Sequence, residues 1–138
     1  KLRNRIINKL FKELVSKDLL SFSKKLYLDK KDILEMSSNG MDFGLHGNYH
    51  LWWEHQKNNV IKKEIDKPIK FFNKIIKKKK MFSLCYPYGS FNKKILSFVS
   101  KRNDISFALS TRVNNISKKN LITEKFYYPR FDANDFKK

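Results

Sequence analysis

Gly40-Met41-Asp42-Phe43-Gly44-Leu45-His46-Gly47-Asn48-Tyr49-His50 marks a change of period along this chain. Before it, apolar residues recur three or four apart. Within it, Met41 to Leu45 reads as a short strand that runs directly into two histidines four residues apart. Two imidazoles at that spacing turn toward one point if the peptide between them forms a single helical turn. Imidazole is a good ligand for divalent metals, although a lone His-x-x-x-His is more often a pair of surface histidines.

Upstream, Ile6, Ile7, Leu10, Phe11, Leu14 and Val15 fall at helical spacing with Lys, Arg and Asn between them, which predicts an amphipathic helix. Leu26 to Leu28 forms a short apolar patch. Asp29 is then the expected N-cap of a second helix ending near Ser37 to Gly40, with Gly40 as its C-terminal glycine. Downstream, Ile61, Ile65, Ile69, Phe72 and Ile76 predict a longer helix, and Pro68 should kink or divide it. Lys77 to Lys80 read as its solvated end, where the helix dipole favours cations.

Met81 to Tyr86 is nearly continuous in apolar character, as expected of a strand buried on both faces, and Pro87-Tyr88-Gly89 turns out of it. Ile95, Leu96, Phe98 and Val99 mark a further helix. Ile105, Phe107 and Leu109 alternate as a third strand, and Tyr127 to Phe131 is the candidate for a fourth. Strands alternating with helices define an α/β class with a parallel sheet or barrel, here read as one domain over residues 1–138. In such folds reactive residues gather beyond the C-terminal ends of strands. Both unusual peptides, His46 to His50 and Pro87 to Gly89, stand at such ends.

The formal net charge of +18 invites a nucleic-acid reading, yet only five of the 31 basic residues are arginine. Lysine, asparagine and isoleucine are abundant together, the signature of compositional drift, so no specific nucleic-acid partner is expected. Cys85 is the only cysteine, which excludes an intrachain disulfide and a cysteine-based zinc site. A lone thiol fits a reducing compartment, so cytoplasm is slightly favoured over the cell envelope of a bacterium. No apolar run approaches the ~18 residues of a membrane span. The chain begins at Lys1, as a processed or partial sequence would. Its oligomeric state is open.

Taken together, the peptides resemble the polysaccharide deacetylases, carbohydrate esterase family four. The strand and His46-Gly47-Asn48-Tyr49-His50 resemble that family's second motif, His-Ser/Thr-x-x-His. Phe82 to Asn92, containing Pro87-Tyr88-Gly89, is similar to its third motif, and Phe107 to Thr111 resembles the strand that follows. The likeness runs from about Leu26 to Asp135. It implies part of a distorted (β/α) barrel of TIM-like kind whose first strand is missing.

The resemblance also implies a hydrolase removing N-acetyl groups from amino sugars of a polysaccharide, lipopolysaccharide or glycolipid. The implied cofactor is a divalent metal, Zn²⁺ first and Co²⁺, Ni²⁺ or Mn²⁺ as alternatives, held by His46, His50 and an aspartate. The metal polarises the acetyl carbonyl and activates water, and a carboxylate takes the proton. The Tyr88 backbone N–H helps hold the oxyanion, on a loop fixed by Pro87 and Gly89. Trp52 and Trp53 stack on a sugar ring or pack over the end of the barrel.

Several positions depart from the family pattern. Its Asp-Asp pair, base and third ligand, is absent and is expected before Lys1. Gly47 replaces the hydroxyl residue that braces the histidine loop, Leu84 stands where many members have an arginine, and no histidine follows His55. Arg130 is the candidate to restore the charge lost at Leu84. Asp132 and Asp135 read as turn or capping residues, Asp42 as structural, and His55 as an ordinary helix residue. Two other readings remain: a catalytically silent, metal-binding or structural relic of the same fold, and a basic nucleic-acid-binding module.

Overall fold

The computed structural model describes residues 2–76 and 81–136, so the expected helix end at Lys77 to Lys80 lies outside the described residues. The chain divides into two compact units, Lys1–Met41 and Asp42–Lys138.

The first unit carries α1 (Leu2–Leu14), α2 (Leu19–Leu26) and α3 (Lys30–Ser38). The stripe from Ile6 to Val15 accounts for α1. The apolar spacing does not foretell α2; Asp18 starts it, its carboxylate accepting from the N–H groups of Leu20 and Ser21. Asp29 caps α3 as expected. Its carboxylate accepts from the N–H groups of Lys31 and Asp32, and Asp32 accepts from the Asp29 N–H in return, a reciprocal capping box. Gly40 follows the end of α3 with φ +84°, the left-handed conformation that stops a helix.

The second unit is built around α4 (Asn58–Ile75), β1 (Phe82–Cys85), α5 (Lys93–Ser100) and β2 (Ile105–Leu109). β1 and β2 are parallel, with Ser83 opposite Phe107 and Cys85 opposite Leu109, and the register shifts between Phe82 and Ser83. The expected first and fourth strands each shrink to one bridge. Leu45 pairs with Leu84 and Tyr128 with Leu109, both parallel. Gly44 permits the first approach, because a Cβ there would lie 2.6 Å from Ser83 Oγ.

The core joins Ile61, Ile65 and Ile69 of α4 to Phe82, Leu84, Tyr86, Ile95, Val99, Ile105 and Ala108, closed by Leu45 and Trp53. Burying each of the isoleucine, leucine, valine and phenylalanine side chains contributes roughly 1.5–3 kcal/mol. Pro68 does not divide α4, which runs unbroken to Ile75. β1 alternates, Phe82 and Leu84 buried with Ser83 and Cys85 only partly so, and thus is not the doubly buried strand that its composition suggests. Among the described residues no helix is long and apolar enough to cross a membrane.

Candidate functional site

Four parallel segments deliver four loops to the same end of the sheet. They follow Leu45, Cys85, Leu109 and Tyr128, and they carry the histidines, Pro87-Tyr88-Gly89, Thr111 and Arg130 respectively.

The structure brings His46 and His50 together, but not through a helical turn. Gly47 has φ +78° and His50 φ +54°, and these two left-handed residues fold the peptide back on itself. The ring nitrogens Nε2 of His46 and His50 lie 3.0 Å apart. On the other side of the His46 ring, Nδ1 is 2.9 Å from the Cys85 carbonyl oxygen. A carbonyl only accepts, so Nδ1 carries the proton and donates. In the neutral ring the Nε2 lone pair then faces His50.

Behind this loop stands Glu64 of α4, 2 % exposed. Its carboxylate accepts from the Asn48 N–H at 3.1 Å and from the Tyr49 N–H at 3.0 Å. A Cβ on Gly47 would lie 2.9 Å from Glu64 Oε2 and 3.2 Å from Pro87 Cγ. The resemblance implies a bracing hydroxyl at position 47. Here the brace comes from α4, and glycine leaves room for it. Sequence reading missed Glu64, although its signal was present: an acid beside Ile65 and three residues after Ile61, inside the apolar stripe.

Pro87-Tyr88-Gly89 forms one tight turn in which Tyr88 itself takes φ +57°. Such strain in a non-glycine residue is typical of functional loops. Gly89, at φ +65°, lies so close to Thr111 that a Cβ would overlap its side chain. Among the described residues the Tyr88 N–H has no hydrogen-bond acceptor. The Tyr88 ring meets His50 edge-on at 4.4 Å and stacks on Trp52 at 5.1 Å, with 15° between the planes. Trp52 is 47 % exposed, whereas Trp53 is buried against Tyr86. Ser90, which is buried, links the two loops: its Oγ accepts from the Glu54 N–H at 3.0 Å and donates to the Glu54 carboxylate at 3.2 Å.

Arg130 is exposed, and its N–H donates to the Arg112 carbonyl. It is near enough to draw the Cys85 thiol downward, although burial dominates and leaves that thiol above its ordinary value. Leu84 is a core residue. Asp132 accepts from the Asn134 N–H and Asp135 from the Asp132 N–H, the capping arrangement expected of them. His55 lies against Trp52, with ring centroids 5.8 Å apart, in a short 3-10 turn, Trp53–His55, rather than on the long helix.

The donors present suit a divalent ion. A hydrogen bond to a carbonyl is the usual partner of a metal-bound imidazole, fixing its tautomer and orientation. The 3.0 Å between the two nitrogens is slightly under the separation, roughly 3.3 Å, of two imidazole nitrogens on one tetrahedral zinc. Among the described residues no group of three or more His, Cys, Asp or Glu side chains assembles for a metal, and the two histidines are the candidate donors present.

Comparison with known proteins gives this arrangement a lineage. The polysaccharide deacetylase family model matches residues 9–104, and the chain belongs to that family. A mixed helix–strand fold with a small parallel sheet is consistent with part of its α/β domain. The match includes both histidines and Pro87-Tyr88-Gly89 and ends before Arg130. No curated protein matches the chain at a significant level.

Proposed function

We propose that the chain, as one deacetylase-like domain, carries the histidine part of a metal-dependent N-deacetylase. The substrate class is an acetylated amino sugar in a polysaccharide or glycolipid, and the surrounding fold is a distorted (β/α) barrel. The observation that supports this reading most directly is the His46–His50 pair, 3.0 Å apart with the His46 tautomer set by Cys85, in a member of the polysaccharide deacetylase family.

His46 and His50 would hold the ion through Nε2. A divalent ion, Zn²⁺ before Co²⁺, Ni²⁺ or Mn²⁺, supplies Lewis acidity toward the acetyl carbonyl and activates water when bound. The Tyr88 N–H donates to the carbonyl oxygen as that oxygen gains charge, and Pro87 and Gly89 keep this donor aimed. The exposed Trp52 face, stacked on Tyr88, offers a surface on which a sugar ring can lie. Arg130 contributes positive charge at the same end of the sheet. The third ligand and the proton acceptor are expected from an Asp-Asp pair outside these residues.

Zinc calorimetry is the test. In a protein that carries the Asp-Asp pair, one ion should bind per chain, with a loss of about a hundredfold or more in the double substitution His46→Ala/His50→Ala and little change in His55→Ala. Unchanged affinity in the double variant would remove the site. The shortage of carboxylates beside the pair among the described residues also favours a second reading, a metal-binding but catalytically silent domain. Acetate release from acetylated chito-oligosaccharides separates the two. A protein carrying the Asp-Asp pair should release acetate, and the 138 residues alone negligibly; release by neither supports the silent reading.

A further inference from the structure

Glu64 is the only buried acidic residue among the described residues, 2 % exposed on a helix face otherwise made of isoleucine. A buried carboxylate is retained at a cost in desolvation unless strong donors surround it. No cation pairs with it among the described residues. Its donors are two successive backbone N–H groups, Asn48 at 3.1 Å and Tyr49 at 3.0 and 3.2 Å, which form an anion-binding nest. Both belong to the three residues between His46 and His50.

This contact accounts for the shape of the loop. Gly47 supplies the left-handed residue that starts the bend, but His50 closes it at a φ of +54° that L-residues avoid. Two N–H groups drawn to one carboxylate hold the bend against that strain. Gly47 completes the fit, since a Cβ there would crowd Glu64 Oε2 at 2.9 Å. Without the carboxylate the loop can relax and the two imidazoles part.

We propose that Glu64 is a positioning residue that holds the His46–His50 loop in its ion-binding shape and so sets the affinity of the site. The inference rests on the reading that His46 and His50 bind a metal. Glu64→Gln keeps the volume but turns an N–H₂ toward one of the two N–H donors. Zinc calorimetry is run on the protein that carries the Asp-Asp pair, wild type and Glu64→Gln, at a temperature where circular dichroism shows both folded.

The expected result is an affinity lower by roughly 10–100-fold, the range seen when groups orienting a metal ligand are removed. A role confined to stability would lower the melting temperature of the metal-free protein and leave the affinity of the folded variant unchanged. Equal affinity therefore overturns this inference while leaving the histidine site standing. Absence of zinc binding in wild type removes both. If Glu64→Gln does not fold, amide hydrogen exchange in the wild-type chain decides. Protected Asn48 and Tyr49 amides support the brace, and exchange at free-peptide rates overturns it.

Discussion

In Lys1–Met41 the groups that shape the backbone are sequence neighbours: Asp18 serves Leu20 and Ser21, and Asp29 serves Lys31 and Asp32. In Asp42–Lys138 the deciding bonds reach across the chain. His46 to the Cys85 carbonyl spans 39 residues, Tyr86 to the Phe126 carbonyl 40, and Ser90 to Glu54 36. The first unit buries Ile33 alone among its described residues, while Ile6, Leu10 and Leu14 are about half exposed or more. Short-range caps place the starts of α2 and α3. Bringing two imidazoles to one point needs bonds between distant segments, and those need a core to hold the segments in register.

The contrast is broken most directly through Ile65, fully buried at the centre of the second unit. Ile65→Ala should cost about 2–5 kcal/mol in denaturant unfolding, whereas Ile6→Ala, at a half-exposed position, should stay within about 0.5 kcal/mol. Equal losses would mean that the two units draw on the same packing.

Arg102 offers a smaller test. It joins Asp66 of α4, at 2.8 Å, to Asp104 before β2, at 2.6 Å. Arg102→Ala should cost about 2 kcal/mol at neutral pH, as hydrogen bonds to charged groups are lost. Burial pushes the Asp66 carboxyl upward, but the bonds from Lys62 and Arg102 outweigh it and leave it below its ordinary value of 3.8. A carboxyl depressed in the folded state stabilises fully above that ordinary value and loses its contribution as pH falls through the folded one. The difference between Arg102→Ala and wild type should therefore shrink in acid unfolding below about pH 4. A difference independent of pH would assign the loss to packing.

The smallest effect sharpens the comparison from the other side. Asp29→Ala removes a cap and should cost about 1 kcal/mol, seen as lost helicity by circular dichroism. Zinc affinity should be unchanged, and a parallel loss would show that the local unit governs the site.

The legible parts of the sequence were those with a period or a special residue. The α4 stripe, the Asp29 cap, the strand at Ile105 to Leu109 and the turn at Pro87-Tyr88-Gly89 all appear where residue chemistry places them. The histidine spacing correctly brought two rings together, for the wrong backbone reason. A helical turn and a bend through left-handed Gly47 and His50 leave the same mark in sequence. Met41 to Leu45 and Tyr127 to Phe131 carry strand-like composition, yet each gives one bridge, because pairing is decided by the neighbouring segment and not by the residues themselves. Glu64 was hidden for the opposite reason: periodicity marks it as a polar interruption, and only its contact with the loop shows what it does.

Cys85 turns its carbonyl to His46 and keeps a half-buried thiol, the only one in the chain, which burial pushes above its ordinary value. Thiolate is the reactive form, so alkylating reagents meet a slow target while this segment stays closed. The labelling rate of one native atom thus reads local opening at the end of β1, and an ion held by His46 should slow it.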